Sequence, residues 1–246
     1  MTNNYIDQIN IQTADIKKAP STPIPAATVL LLKDISDTIE VFMLKRAAAS
    51  NFGNAWVFPG GKVDPEDINT KFSDKLNLDE KITSSEDTSY FFAAIRECFE
   101  ECGVLLAKRS SGELFFPTDQ NEHDDLKKYQ AQINNGEINF FDILTQLNLY
   151  PDINNLKFLS HWTTPLTEKK RYSTKFFLSR LPNTQQAVHD GFEGVESLWI
   201  TPQKALNLYN NGKFPIILPT IKSLEELSKY ASTSELLDNT SNSNLD

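Results

Sequence analysis

Apolar and polar residues alternate in blocks along the chain, and the apolar blocks predict strands. The branched runs "ATVLLLKD" and "IEVFMLKR" are separated only by "ISDT", which predicts two strands joined by a short loop. A third short strand is predicted in "AWVFPGG", where it ends in a Pro-Gly-Gly turn. Three later strands are predicted in "LKFLSHWTTP", "RYSTKFFLSRL" and "VESLWITP".

Helical patterns lie between and after these strands. A helical pair is predicted in "DLKKYQAQINNG" and "FFDILTQLNL", and two later helices in "TPQKALNLYNNG" and "LPTIKSLEELSKYA". A further helix contains "AAIRECFEECGV" and is expected to begin after Asp87 or Thr88 and to end at Gly103. At 100° per residue its apolar side gathers Phe91, Phe92, Ile95, Cys98, Phe99 and Cys102.

The polar stretches divide the chain into a core and flanking segments. Residues 1–24 predict a loosely ordered arm, and residues 231–246 predict a disordered tail. Residues 25–230 are interpreted as a single domain that carries two insertions, at residues 62–87 and 109–155. The first insertion is a long polar loop with a short helix expected around "FSDKLNL", and the second contains the helical pair.

Composition narrows the classes of partner. The formal net charge is -9 and the pI is about 4.9, which argues against binding to nucleic acid backbones or anionic membranes. No run approaches the roughly 20 apolar residues of a membrane span, and the polar start lacks a secretion signal, so a cytoplasmic protein is expected. The only cysteines, Cys98 and Cys102, lie one helical turn apart and are interpreted as buried thiols.

The helix in "AAIRECFEECGV" concentrates negative charge near its end. Glu97 meets both Glu100 and Glu101 on helical spacing, and each like-charge pair destabilises a helix by about 0.2 to 0.5 kcal/mol. The carboxylates also crowd the negative end of the helix dipole, which adds about 0.3 to 1 kcal/mol for each charge. Because local physics opposes this arrangement, a functional role is expected.

Three converging carboxylates must either take up protons or bind cations. Mg2+, Mn2+ and Ca2+ are the expected cations, since hard carboxylate oxygens suit them, and Mg2+ usually leaves coordination positions for water and substrate phosphates. Glu97, Glu100 and Glu101 are therefore the candidate metal ligands, with Arg96 expected to hold Glu100 in position. The alternative is a solvated acidic face on a surface helix.

"RECFEECGV" matches the second half of the Nudix box, R-E-U-x-E-E-x-G-U with U a bulky apolar residue, and "FPGG" upstream supplies the opening glycine. The chain thus resembles the Nudix hydrolases, which cleave a nucleoside diphosphate linked to another group. The resemblance implies Glu97, Glu100 and Glu101 as metal ligands, with Glu100 and Glu101 catalytic and Arg96 paired to one of them. It also implies that Gly60 and Gly61 lie at the substrate.

One departure from the Nudix box concerns spacing. Gly61 and Arg96 are 35 positions apart where the family has 14, so about 21 residues are inserted. The family's first glutamate falls on Asp67 when counted forward from Gly61, and on Thr88 when counted back from Arg96. The sequence leaves both positions open.

The broken box and the later segments resemble the Nudix branch that hydrolyses coenzyme A, although the "LLTxT" signature of other coenzyme A enzymes is absent. The resemblance implies an α/β fold of the α+β type, with a mixed sheet between helices and a helical insertion. It implies Mg2+- or Mn2+-dependent attack of water on a diphosphate, in coenzyme A or acyl-coenzyme A. Other substrates remain open, namely ADP-ribose, NADH or a capped RNA end, as does a non-catalytic nucleotide sensor.

Residues outside the box add further candidates. Arg46 and Arg171 could each clamp a phosphate, because the guanidinium fork suits phosphate oxygens, or form surface ion pairs. The resemblance implies that Glu193, in a loop before Trp199 where many Nudix enzymes place another carboxylate, binds metal or accepts the water proton; the alternative is a solvated loop charge. The expected partner is a small-molecule nucleoside diphosphate rather than nucleic acid or membrane. A homodimer is left open.

Overall fold

The computed structural model describes Ile9, residues 21–50 and 52–68, Phe72, and residues 85–240. The strands are β1 (Ile24–Ile35), β2 (Thr38–Arg46), β3 (Trp56–Val57), β4 (Gly60–Lys62), β5 (Ala107–Arg109), β6 (Leu149–Pro151), β7 (Lys157–Thr163), β8 (Tyr172–Arg180) and β9 (Gly194–Ile200). The described helices are α1 (Ser85–Cys102), α2 (Gln120–Asn134), α3 (Phe140–Gln146), α4 (Pro202–Asn210), α5 (Leu218–Leu227) and α6 (Thr233–Thr240).

The main sheet is mixed and has β1 near its centre. Its strand order is β3, β2, β1, β8, β7, with β4 paired to another part of β1 and β9 paired to β2. β1 runs parallel to β8 and antiparallel to β2 and β4, and its Ala27 lies opposite both Gly61 and Lys175. β5 and β6 form a separate antiparallel pair beside this sheet. The register places Gly60 and Gly61 next to the middle of the sheet. These two residues, where the chain turns into β4, are named the Gly60–Gly61 turn.

Helices cover both faces of the sheet, because β1 is apolar on both sides. Val29 and Leu31 belong to the cluster that contains α1, whereas Leu30 and Leu32 belong to the opposite cluster. Successive side chains in a strand point to opposite faces, so this division follows from the unbroken apolar run of β1. The second cluster takes in residues of α4, α5 and α6. The expected α+β fold, a mixed sheet between helices, is confirmed.

The two insertions are described to different extents. The helical pair of residues 109–155 is confirmed as α2 and α3, and the pair β5 and β6 frames it. In the first insertion the short helix expected around "FSDKLNL" lies outside the described residues, except that Phe72 is buried against Phe141 at a ring distance of 5.5 Å.

Two sequence-based boundaries were wrong. α1 begins at Ser85 instead of after Asp87 or Thr88, while its end before Gly103 is as expected, with a φ of +71° at that glycine. Residues 233–240, expected in a disordered tail, form α6, whose Leu236 is fully buried. A single buried leucine in a polar segment carries too weak a pattern to reveal a helix. The final residues, 241–246, lie outside the described part, as does most of the N-terminal arm.

None of the helices in the described ranges is long and apolar enough to cross a membrane.

Candidate active site

Helix α1 positions the acidic residues by burying its opposite side. Phe92, Ile95 and Phe99 have no exposed surface, and α1 packs on β1 and β4. This packing fixes the rotation of the helix about its axis, so that the side with Glu97 and Glu101 is held against the Gly60–Gly61 turn.

Two glycines let the helix approach the turn at contact distance. The main-chain N–H of Gly60 donates a 2.8 Å hydrogen bond to Oε2 of Glu101. A Cβ atom on Gly61 would lie 2.4 Å from Oε1 of Glu97, well inside van der Waals contact. A Cβ on Gly60 would lie 2.4 Å from the main-chain oxygen of Ala27. The expectation that both glycines belong to the site therefore has a steric basis.

Arg96 is the centre of the acidic cluster and is 5% exposed. Its Nη1 donates to Glu97 at 3.0 Å and to Glu100 at 3.1 Å. Its Nη2 donates to the main-chain oxygen of Lys62 at 2.8 Å, which ties the helix to β4. The expected contact with Glu100 is present, and the same guanidinium also holds Glu97.

Asp67 completes the Arg96 network and answers the question left open by the sequence. It is fully buried, and its two oxygens accept from Nε of Arg96 at 3.1 Å and from Nη2 at 2.9 Å. A short 3-10 turn, Pro65–Asp67, presents it, and the same carboxylate accepts from the Asp64 N–H at 2.8 Å. Thr88 is instead the fourth residue of α1. Counting forward from Gly61 therefore finds the acidic partner of Arg96.

Burial shifts the carboxyl groups toward their neutral forms. Burial raises the pKa of Glu97 to about 8, against the opposing charge of Arg96 and with a contribution from Glu100. Burial and the charge of Glu97 hold the pKa of Glu101 well above its usual range, although the Gly60 N–H opposes this shift. The pKa of Glu100 is also raised by burial. A cluster with more acids than positive charge favours protons or added cations.

The donor set suits a hard divalent cation, since it consists of carboxylate oxygens beside the sheet turn. Asp67, Glu97 and Glu100 share one guanidinium, and Glu101 adds a further carboxylate. Across the residues with described positions, however, no three acidic, histidine or cysteine side chains already surround a common point as metal ligands do. The reason is visible in the contacts: the glutamates are turned toward Arg96 and Gly60 N–H, which compensate part of their charge.

The two other predicted arginines lie in different settings. Arg46, at the end of β2, donates from Nη2 to Glu193 at 3.4 Å, and its charge also acts on Glu101. Arg46 and Glu193 are thereby brought beside the cluster, and their roles toward phosphate and water stay predictions. Arg171 donates instead to the main-chain oxygens of Thr164 at 3.0 Å and Ser21 at 2.8 Å. These bonds brace the start of β8, and a phosphate contact for Arg171 stays a prediction.

The two cysteines are buried thiols, as expected. Their sulfurs are 3.6 Å apart, and the Cys102 thiol donates to the main-chain oxygen of Cys98 at 2.8 Å. The hydrogen bond with Cys102, together with burial, raises the pKa of the Cys98 thiol. The Cys98 thiol therefore resists ionisation and contributes packing rather than nucleophilic chemistry.

The fold is that of a solved Nudix hydrolase. The crystal structure of a Nudix hydrolase from Alicyclobacillus acidocaldarius matches with a TM-score of 0.73 at 24% identity, over 89% of this chain and 97% of that one. Residues 68–227 match the model of the NUDT19 Nudix domain, and the chain belongs to this family.

Curated relatives share similar stretches of sequence. The acyl-coenzyme A diphosphatase NUDT19 of Xenopus laevis is 30% identical, in a match that covers 80% of this chain and 62% of the relative. The protein of the same name from Gallus gallus is 25% identical, in a match that covers 80% of this chain and 63% of the relative. The chain thus spans less than two thirds of the length of these relatives.

Proposed function

We propose that this domain hydrolyses the diphosphate of coenzyme A or acyl-coenzyme A, with Mg2+ or Mn2+ as cofactor. The observation that carries the proposal is the placement of Glu97, Glu100 and Glu101 around Arg96 and the Gly60–Gly61 turn. The substrate class is supported by the similarity to acyl-coenzyme A diphosphatases. The products would be a 3',5'-ADP derivative and 4'-phosphopantetheine or its acylated form.

The residues of the site divide the work. Glu97, Glu100 and Glu101 would hold the cation, which when bound neutralises phosphoryl oxygens and strengthens water as a nucleophile. Arg96, itself fixed by Asp67, orients Glu97 and Glu100, and the Gly60 N–H orients Glu101.

Glu193 is proposed to accept the proton of the attacking water, because it is the most accessible acid facing this cluster. Its side chain is 65% exposed, and its charge contributes to the raised pKa values of Glu97 and Glu101. Arg46 holds it at 3.4 Å and is proposed to exchange that contact for a substrate phosphate.

The direct test is hydrolysis of coenzyme A, ADP-ribose, NADH and a capped RNA by the purified protein, with Mg2+ and with EDTA. We expect Mg2+-dependent turnover that is fastest with coenzyme A or its acyl forms. Faster turnover of ADP-ribose, NADH or capped RNA would reassign the substrate, and tight binding without turnover would indicate a sensor.

The proton-accepting role has a matched control. Glu193→Gln should lower turnover, whereas Glu196→Gln should not, because Glu196 lies three residues further on, in β9, and pairs with Lys45 of β2 at 3.2 Å outside the acidic cluster. Equal activity of both variants would remove Glu193 from the mechanism. The cytoplasmic location and the homodimer stay predictions.

A further inference from the structure

A cavity of about 680 Å³ lies between α2 and the loop of residues 184–192, beside the last turn of α1. This volume falls within the roughly 300 to 1,000 Å³ of small-molecule sites. Its walls come from the helical insertion on one side and from the segment leading to Glu193 on the other. The cavity is distinct from the carboxylate cluster but shares this loop with it.

The end of α1 is used to build the wall of the cavity. The main-chain oxygen of Glu100 accepts from Gln130 at 3.0 Å and from Asn134 at 3.3 Å. Those of Glu101 and Cys102 each accept at 3.1 Å from main-chain N–H groups of the 184–192 loop. The last carbonyls of a helix normally lack helical partners. Because these three accept hydrogen bonds from the cavity walls, their oxygens are not left unpaired toward a ligand.

Lys127 gives this cavity a positive charge, and His123 places a second polar side chain beside it. They are four residues apart on α2, so they share one face of the helix, and both line the cavity. In residues 21–50, 52–68 and 85–240 neither side chain has a hydrogen bond or ion pair. In a chain of net charge -9, two uncompensated donors on one wall favour an anionic ligand.

The nearest acid on the opposite wall is already compensated. Asp190 accepts main-chain N–H bonds at 3.1 Å from Phe192 and from Gly194, and at 3.3 Å from Glu193. Three donors on one carboxylate neutralise much of its field and stiffen the loop. The positive charge of Lys127 therefore faces little free negative charge across the cavity.

Phe192 supplies an aromatic surface at the same place. It lines the cavity and is 71% exposed, which is unusual for phenylalanine. The next residue, Glu193, contacts Arg46 beside the carboxylate cluster. A ligand that spans the cavity and the cluster would therefore pass along this loop.

We propose that this cavity binds the 3'-phosphorylated nucleoside end of coenzyme A, an inference that rests on the proposed function. Lys127 and His123 contact the 3'-phosphate, and Phe192 packs on the adenine ring. The diphosphate then lies toward Glu193 and the carboxylate cluster, and the pantetheine arm extends away from α2. Lys127 is thus a specificity residue for the 3'-phosphate.

The test compares coenzyme A with 3'-dephospho-coenzyme A. Lys127→Met should raise KM for coenzyme A about tenfold, leave KM for the dephospho compound within about twofold, and leave kcat unchanged. Lys128→Met is the matched control, since Lys128 is the adjacent, exposed lysine and does not line the cavity. Phe192→Ala should raise KM for both compounds, because both carry adenine. Equal effects of Lys127→Met on both substrates, or no effect on either, would overturn the assignment.

Binding separates this inference from the proposed function. Calorimetry with adenosine 3',5'-bisphosphate, measured without turnover, should show about tenfold weaker binding to Lys127→Met than to wild type or Lys128→Met. If Lys127→Met binds the bisphosphate more weakly but the wild type does not hydrolyse coenzyme A, the proposed function is refuted and the cavity assignment is retained. Hydrolysis with equal binding by all three proteins would retain the function and refute the cavity assignment.

Discussion

The two sides of helix α1 contrast within one short element. One side buries Phe92, Ile95 and Phe99 completely, in a cluster continuous with the insertion helices. The other side carries Glu97 and Glu101 beside a turn of two glycines. The apolar side stabilises the fold, whereas the acidic side destabilises it. The acids can be crowded together because the apolar side holds the helix in place.

The acidic side is only partly compensated by the protein itself. Arg96 meets Asp67, Glu97 and Glu100, while Glu101 receives one main-chain N–H. Burial first, and the neighbouring carboxylates after it, raise the pKa values of Glu97 and Glu101. Four changes would test this contrast.

The largest effect should come from breaking the apolar side. Phe99→Ala should lower the free energy of unfolding by about 3 to 5 kcal/mol, because a fully buried aromatic ring next to Phe140 leaves a cavity. Urea unfolding would measure this loss, with the exposed Phe192→Ala as control. A loss below about 1 kcal/mol would show that this side does not anchor the helix.

Changing the acidic side should affect activity instead. Glu101→Gln keeps an oxygen for the Gly60 N–H but loses the charge, so kcat should fall by about 100- to 1,000-fold, or roughly 3 to 4 kcal/mol. Without metal, its stability should equal or exceed that of wild type, because at neutral pH the buried Glu101 must either carry a charge or take up a proton, and the amide does neither. Turnover within tenfold of wild type would remove Glu101 from the site.

Added cation should make the acidic side stabilising. At Mg2+ concentrations near 100 times its Kd, the free energy of unfolding of wild type should rise by about 2.7 kcal/mol. Glu97→Gln should respond much less, because a ligand is lost. Thermal unfolding at matched ionic strength would separate ion binding from screening, and an equal response of both proteins would contradict the assignment of Glu97.

The smallest effect should come from the turn facing the acids. Gly61→Ala should destabilise by about 1 kcal/mol, since its Cβ meets the movable end of Glu97 at 2.4 Å. Gly60→Ala should destabilise at least twice as much, because its Cβ meets the main-chain oxygen of Ala27 at the same distance. Equal losses in the free energy of unfolding of the two variants, measured by urea unfolding, would show that the Glu97 side chain cannot move away from the added methyl group.

Much of the fold follows from sequence patterns of adequate length. The apolar runs of β1, β2 and β8 predicted their strands, and the periodicity of α1 predicted its buried side. β4 was not predicted as a strand, because Gly60 and Gly61 carry no side-chain pattern and their pairing with β1 is a tertiary contact. α6 escaped for a related reason, since only Leu236 among its residues is both apolar and fully buried.

The candidate site shows the same limit. The glutamates were predictable because helical spacing alone places them together. Asp67 was reached only as one of two open positions, because 29 positions separate it from Arg96 and no periodicity links the two. His123 and Lys127 share a helix face that spacing would reveal, but only the tertiary structure shows that this face borders a cavity.

The hydrogen bonds between α2 and the end of α1 do not depend on the side chains that form the acidic cluster. Gln130 and Asn134 bind the main-chain oxygen of Glu100, not its carboxylate. Any residue at position 100 offers the same oxygen, so the insertion stays docked when the side chain there is replaced. Divergent relatives could thus lose or change the reaction while keeping the pocket, and could reshape the pocket while keeping the reaction.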